Sequence, residues 1–295
     1  MKERKEIKNI AASVKERLRN ISIQAGKDFQ SVLRQYIQEW FLFRLSKSIY
    51  VNNLILKGAI LFVAHDISRS RPTKDIDFLG SSVPNEKEKI VDIIKDILDI
   101  SCEDGLLFDK TDVKAEDIVE DEEYHGVRVK FYAYLEHSRE RVQIDIGFGD
   151  RITGGPIEID FPTLLDFPAP RLKVYSIENA VAEKFEAIVS LQLETSRMKD
   201  FYDILYFAEN YEFNKALLKE AILPTFDQRD TDIEKRKNIY ENKFKSDEQL
   251  QKFWTAFLNR NKLSTENSFA NIVDKLKSFI EPILLWFWVH LNKFL

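Results

Sequence analysis

"RPTKDIDFLG", Arg71 to Gly80, sets two aspartates two residues apart in a run that becomes apolar around them. Residues at i and i+2 of a strand share a face, so Asp75 and Asp77 stand together while Ile76 and Phe78 turn the other way, into a core. Paired carboxylates on a covered strand are costly unless a cation or a shared proton compensates. A divalent metal is the most economical compensation, and Mg²⁺ is suited to a few carboxylates plus phosphate oxygens and water. An exposed, solvated D-x-D is the plain alternative, and the flanking Ile76, Phe78 and Leu79 argue against it.

Working outward, "VQIDIGFGD" alternates with Val142, Ile144 and Ile146 on one side and Gln143, Asp145 and Gly147 on the other. If this strand lies beside the first, Asp145 joins Asp75 and Asp77, and three acids from two strands form the metal site of a two-metal phosphoryl or nucleotidyl transfer centre. Asp150 lies beyond the strand, beside Gly149, and reads as a loop residue. Gly58 falls at a strand-to-helix junction in "LKGAILF", where a missing side chain lets backbone N–H groups approach an anion. Lys57 before it is either a phosphate contact or a solvated edge residue. Arg71 and Thr73 precede the metal strand and either contact phosphate or cap the loop, Arg suiting phosphate through its planar fork.

The rest of the chain reads as a helical start, a mixed middle and a helical end. Apolar residues recur at helical spacing through "DFQSVLRQYIQEWFLFRLSKS". "LILKG" reads as a short strand, "AILFVAH" as a helix, "KDIDFLG" as a strand and "EKEKIVDIIKDILDI" as an amphipathic helix. "GVRVKFYAYL" and "ERVQIDIGFG" form a hairpin across "EHSR", and the Gly- and Pro-rich "GGPIEIDFPTLLDFPAP" is a connector. After "RLKVYSIENA" everything reads as helix. Lys184, in "SIENAVAEKFEAIVSLQ", borders a buried face made by Ile177, Ala180, Val181, Phe185, Ile188 and Val189, so its ammonium can snorkel outward. Asp200 and Asp203 share one face of the next helix and can pair with Lys184, Arg197 or Lys199, or accept hydrogen bonds from a ribose.

Composition bounds the function. The chain has 295 residues, 44% hydrophobic and 32% charged, enough for two compact lobes. A net charge of −5 gives no global basic field for nucleic acid, although Lys2, Arg4, Lys5, Lys8, Lys15, Arg17 and Arg19 make a local basic stretch. Cys102 stands alone, so an intrachain disulfide is excluded and a reducing, cytoplasmic setting is expected. No apolar run has the length of a membrane span; "PILLWFWV" reads as a docked terminal helix. Histidines 65 and 125 have no partner motif and take no role.

The runs "NIAASVKERLRNISIQAGKDFQ", "FLFRLSKS", "LILKGAILF", "RPTKDIDFLG", "VQIDIGFG" and "YSIENAVAEKFEAIV" with "RMKDFYDI" resemble, in this order, the AbiEii/AbiGii abortive-infection toxin family of nucleotidyltransferases. The resemblance covers most of positions 8 to 208. It implies an α+β fold: a polymerase-β-like nucleotidyltransferase core with a small mixed sheet and flanking helices over residues 51–175, an N-terminal helical segment over 1–50 and a C-terminal helical domain over 176–295. It also implies a toxin of a bacterial toxin–antitoxin pair with a cognate antitoxin encoded nearby, using a nucleoside triphosphate and Mg²⁺ or Mn²⁺, with an RNA (tRNA) or protein acceptor and no membrane. Gly58 matches the nucleotide-loop glycine, Asp75 and Asp77 the metal-binding D-x-D, Asp145 the third carboxylate, Lys184 the lysine that holds triphosphate, and Asp200 with Asp203 the closing acidic motif. Ala59 and Ile60 depart from the pattern by leaving no hydroxyl after Gly58, so Thr73 or loop backbone would have to serve. Two other classes stay open at this point: a degenerate nucleotidyltransferase fold that only binds a partner, and a metal-dependent phosphodiesterase or nuclease using the same acids.

Overall fold

The computed structural model describes residues 9–65, 73–121, 124–263, 265 and 267–291. Asp28 caps the second helix, its carboxylate accepting from Ser31 N–H at 3.1 Å, which satisfies one of the donors left open at a helix start. The helix that follows, α2 (Phe29–Lys47), is preceded by α1 (Ile10–Gln24) and buries Leu33, Ile37, Phe41 and Leu45 along its length. After it come β1 (Leu54–Lys57), a 3₁₀ turn (Gly58–Ile60), the single turn α3 (Leu61–Ala64), β2 (Asp75–Gly80) and α4 (Lys87–Leu98). The expected helix at "AILFVAH" is therefore only a short turn.

Three long strands continue the sheet: β3 (Leu106–Asp121), β4 (Tyr124–Leu135) and β5 (Ser138–Phe148). The last two form the expected hairpin, closed by Glu136 and His137 between the paired Leu135 and Ser138. Two short strands, β6 (Ile157–Asp160) and β7 (Arg171–Val174), lie inside and just after the stretch read as a connector. The seven strands run in the order β3-β4-β5-β2-β1-β7-β6, with β2 parallel to β5, β1 parallel to β7 and the other pairs antiparallel. This is the mixed sheet with flanking helices that the sequence implied, larger by β3, β6 and β7.

One face of the sheet is the core. Ile76, Phe78, Val127, Val129, Phe131, Val142, Ile144 and Ile146 are buried, and Phe41 of α2 lies 6.3 Å, ring to ring, from both Phe78 and Phe131. Each such side chain contributes about 1.5–3 kcal/mol by leaving water. Glu140, also on this face, is held by Gln30 and by Arg34 Nε at 2.5 Å, and buried Arg44 pairs with buried Asp104. These pairs neutralise the charges that α2 carries inward.

The described chain forms two compact units. The first gathers α1 and α2 with the whole sheet through Val174; the second holds Asp150–Pro156 and everything from Tyr175 onward. The second unit is helical: α5 (Ile177–Leu191), α6 (Met198–Asn210), α7 (Lys215–Gln228), α8 (Arg236–Ile239), α9 (Asn242–Lys245), α10 (Glu248–Asn261) and α11 (Phe269–Leu291). Ser176 caps α5, and aromatic pairs Phe185–Phe226 (5.5 Å) and Phe201–Phe269 (5.3 Å) join its helices. Among the described residues no helix is long and apolar enough to cross a membrane. Of the basic N-terminal stretch, Lys15 pairs with Glu136 at 3.2 Å and Arg17 lies over the Phe167 ring; Lys2, Arg4, Lys5 and Lys8 fall outside the described residues.

Candidate active site

Strand pairing decides what stands beside Asp77. Residues directly opposite on neighbouring strands share a face, and here the register aligns Lys57 with Asp77, Asp77 with Asp145, Asp145 with Arg128, and Arg128 with Glu116. A single row of charges thus crosses five strands on the face opposite the core. Its centre is a pair of like charges, flanked on each side by a cation. The neighbouring row runs from Asp75 through Gln143 and Lys130 to Lys114.

Gly58 shapes one edge of this centre. Its φ of +73° lies in the left-handed region, and a Cβ there would sit 1.9 Å from Asp77 Oδ2. The Asp77 carboxylate therefore lies directly against the glycine, filling the place of the missing side chain. Glycine is required twice over, for its backbone angle and for its lack of bulk. The single-turn helix after it is too short for a substantial helix dipole, so here the glycine serves the carboxylate rather than a helix N-terminus. Thr73 donates its hydroxyl to the Asp75 carbonyl at 3.2 Å and fixes the entry to β2. Arg71 lies outside the described residues.

Asp145 is held by a residue that the sequence reading missed. Arg128 donates through Nε to Oδ1 at 2.8 Å and through Nη2 to Oδ2 at 2.7 Å, a two-pronged ion pair, and Gln143 Nε2 reaches Oδ2 at 3.3 Å. The Asp145 hydrogen bonds raise the Arg128 pKa above its ordinary value despite partial burial. The signal was present in "GVRVKFYAYL", whose alternation puts Arg128, Lys130 and Tyr132 on the open face. What the alternation lacks is the register that sets Arg128 opposite Asp145. Two carboxylates two residues apart on β2 match the donor set that a Mg²⁺ shared with phosphate oxygens takes. Asp145 fits a metal less well, both oxygens already accepting from Arg128. Among the described residues no group of three His, Cys, Asp or Glu side chains is gathered to hold a metal.

In the second unit, Lys184 meets both acids of the closing motif. Its Nζ donates to Asp200 Oδ1 and to Asp203 Oδ2, each at 2.8 Å, and Arg197 Nε reaches Asp200 Oδ2 at 2.7 Å. The two carboxylates are buried, at 1% and 0% exposure, and a buried pair survives only when its charges are matched. Burial opposes ionisation of Asp200, yet Lys184 and Arg197 override it and hold the carboxyl below the usual carboxylate range. Asp150, beyond β5 as expected, pairs with Arg229 at 3.1 Å.

Residues 40–275, more than half of the chain, match the model of the family described as "Nucleotidyl transferase AbiEii toxin, Type IV TA system". The chain belongs to the AbiEii nucleotidyltransferase toxin family. Membership in this family of type IV toxin–antitoxin systems brings with it an antitoxin partner and a nucleoside triphosphate substrate. Two solved structures from Helicobacter pylori share the fold. One, of JHP933, is 12% identical with a TM-score of 0.55, covering 90% of this chain and 98% of its own. The other, of a protein named "putative nucleotidyltransferase", is 13% identical with a TM-score of 0.51, covering 87% and 96%. No curated protein matches the chain.

Two outcomes follow from the AbiEii geometry. Gly58→Ala is expected to cost about 1–3 kcal/mol of stability for a strained backbone, and to lower transferase activity about 100-fold by displacing Asp77; a denaturant titration and initial rates measure both, and wild-type rates would contradict the contact's importance. Because the folded pKa of Asp200 is depressed, its contribution is present above about pH 4, the unfolded value, and is lost as the pH falls towards the folded one. Asp200→Asn should therefore cost about 1.5–3 kcal/mol at pH 7 and progressively less below pH 4, read from urea midpoints; a pH-independent deficit would contradict the assignment.

Proposed function

We propose that the chain is a divalent-metal-dependent nucleotidyltransferase toxin that moves a nucleoside monophosphate from a nucleoside triphosphate to an RNA hydroxyl, restrained by an antitoxin encoded beside it. The observation that carries this reading is Asp75 and Asp77 together on the open face of β2, with Asp77 seated on Gly58 and in register with Asp145. Bound to Asp75 and Asp77, Mg²⁺ or Mn²⁺ would supply the positive charge that neutralises the triphosphate. The acceptor hydroxyl gives up its proton to solvent as its oxygen forms a bond to the α-phosphorus, the bond from that phosphorus to the β-phosphate oxygen breaks, and pyrophosphate leaves with the electron pair.

The chain's own residues prepare that step. Gly58 fixes the position of Asp77, and Thr73 anchors the strand that presents both acids. Lys57 and Arg128 flank the pair Asp77 and Asp145, so the cluster does not repel itself apart. Arg71 is assigned to phosphate by the motif it belongs to. Lys184 is likewise assigned to the triphosphate, with Asp200 and Asp203 holding its ammonium in place.

The RNA acceptor is favoured by the rest of the open face. Beyond Asp145 it carries Lys130, Tyr132, Tyr134, Arg139 and Arg141, and the Arg139 guanidinium lies 3.5 Å from the Tyr132 ring centroid. Arginines stacked with aromatic rings on a sheet suit splayed bases and their phosphates, each stacked base contributing about 1–3 kcal/mol.

The test is incubation of the pure chain with Mg²⁺, each α-labelled nucleoside triphosphate and total RNA. Label is expected in RNA and lost in Asp75→Ala. Label in protein would replace the acceptor, shortened RNA without label would replace transfer by phosphodiester cleavage, and no product with a partner still bound would reduce the chain to a binding module.

A further inference from the structure

Resting on the reading above, we propose that Arg128 takes the place of a second metal ion: the site works with one divalent ion, on Asp75 and Asp77, and its third carboxylate belongs to a guanidinium.

A two-metal centre needs the third carboxylate to turn at least one oxygen towards an ion set beside the first. Both oxygens of Asp145 instead accept from Arg128, at 2.8 and 2.7 Å, and Gln143 adds a contact to one of them. The fork geometry matches the carboxylate edge on, which makes it a strong and oriented ion pair. Arg128 is also braced from behind, its Nη1 lying 3.9 Å from Glu116 on β3, and the strand register sets Glu116, Arg128 and Asp145 in one line. A second dication at Asp145 would have to break the fork and then sit beside a permanent positive charge. The guanidinium meanwhile supplies what such an ion would: it neutralises Asp145 directly opposite Asp77, and it does so at every accessible pH. Asp75 lies in its field as well. Its remaining N–H groups, on a side chain one-third exposed, face the same open surface as the acids, where an acceptor's phosphate oxygens can be received.

The experiment counts bound Mn²⁺ per full-length chain by electron paramagnetic resonance, in the presence of a non-hydrolysable α,β-methylene nucleoside triphosphate, with circular dichroism as the check on folding. Wild type is expected to bind one ion and Arg128→Gln two, the gain disappearing in Arg128→Gln/Asp145→Asn. Two ions in wild type, or one ion in a folded Arg128→Gln, would overturn the inference and leave the transferase reading standing. Should Arg128→Gln fail to fold, the wild-type count decides alone. No ion in wild type, or a single ion that survives in Asp75→Ala, would instead overturn the metal site itself, and the inference with it.

Discussion

Asp77 and Asp145 face each other across adjacent parallel strands, and the repulsion between them is the constraint around which this sheet is arranged. Like charges directly opposite destabilise a sheet. The chain answers by placing Lys57 on one flank and Arg128 on the other, so that the row alternates everywhere except at its centre. Arg128 neutralises Asp145, and the carboxylates of Asp75 and Asp77 offer the donors that a dication shared with phosphate oxygens takes. The opposite face is ordinary core, built by Ile76, Phe78, Ile144 and Ile146, and it fixes the register that keeps the acids aligned: a slip of one residue would turn them inward.

The second unit holds its paired acids in the interior. Lys184 and Arg197 match Asp200 and Asp203 charge for charge, and burial makes each partner dependent on the others. Such a quartet joins α5 to α6 firmly and leaves Lys184 oriented. One chain thus uses paired carboxylates twice: one pair is buried and matched by Lys184 and Arg197, the other stands on the face of β2 opposite the core, where Asp77 is in register with Asp145.

Much of this was legible in the sequence, because alternation and helical spacing are local. The i, i+2 spacing of Asp75 and Asp77 and the inward Ile76 and Phe78 stated the face and the strand together. The runs "DFQSVLRQYIQEWFLFRLSKS" and "SIENAVAEKFEAIVSLQ" announced α2 and α5, and the motif order announced the family. The strand β3 escaped because "LLFDKTDVKAEDIVED" is crowded with Asp, Glu and Lys, poor strand formers that an edge strand nonetheless tolerates and that guard its open side. The strands β6 and β7 escaped because four residues among prolines and glycines carry too little periodicity. Arg128 escaped for a different reason: its face could be read from alternation, but its partner depends on the register between β4 and β5, which no local pattern states. The contact between Gly58 and Asp77 is likewise non-local, visible only once β1 and β2 are paired.

The proposed transfer requires that Asp75 and Asp77, set on their face by the register of β2 and shaped by Gly58, hold the ion that brings the nucleotide. Anomalous scattering from crystals grown with Mn²⁺ and a non-hydrolysable nucleoside triphosphate tests it most directly. The expected result is a manganese peak within about 2.2 Å of carboxylate oxygens of both Asp75 and Asp77, a usual distance for a small hard dication, and with triphosphate oxygens completing its shell. A nucleotide bound with its metal elsewhere, or with no metal against these two carboxylates, would contradict it.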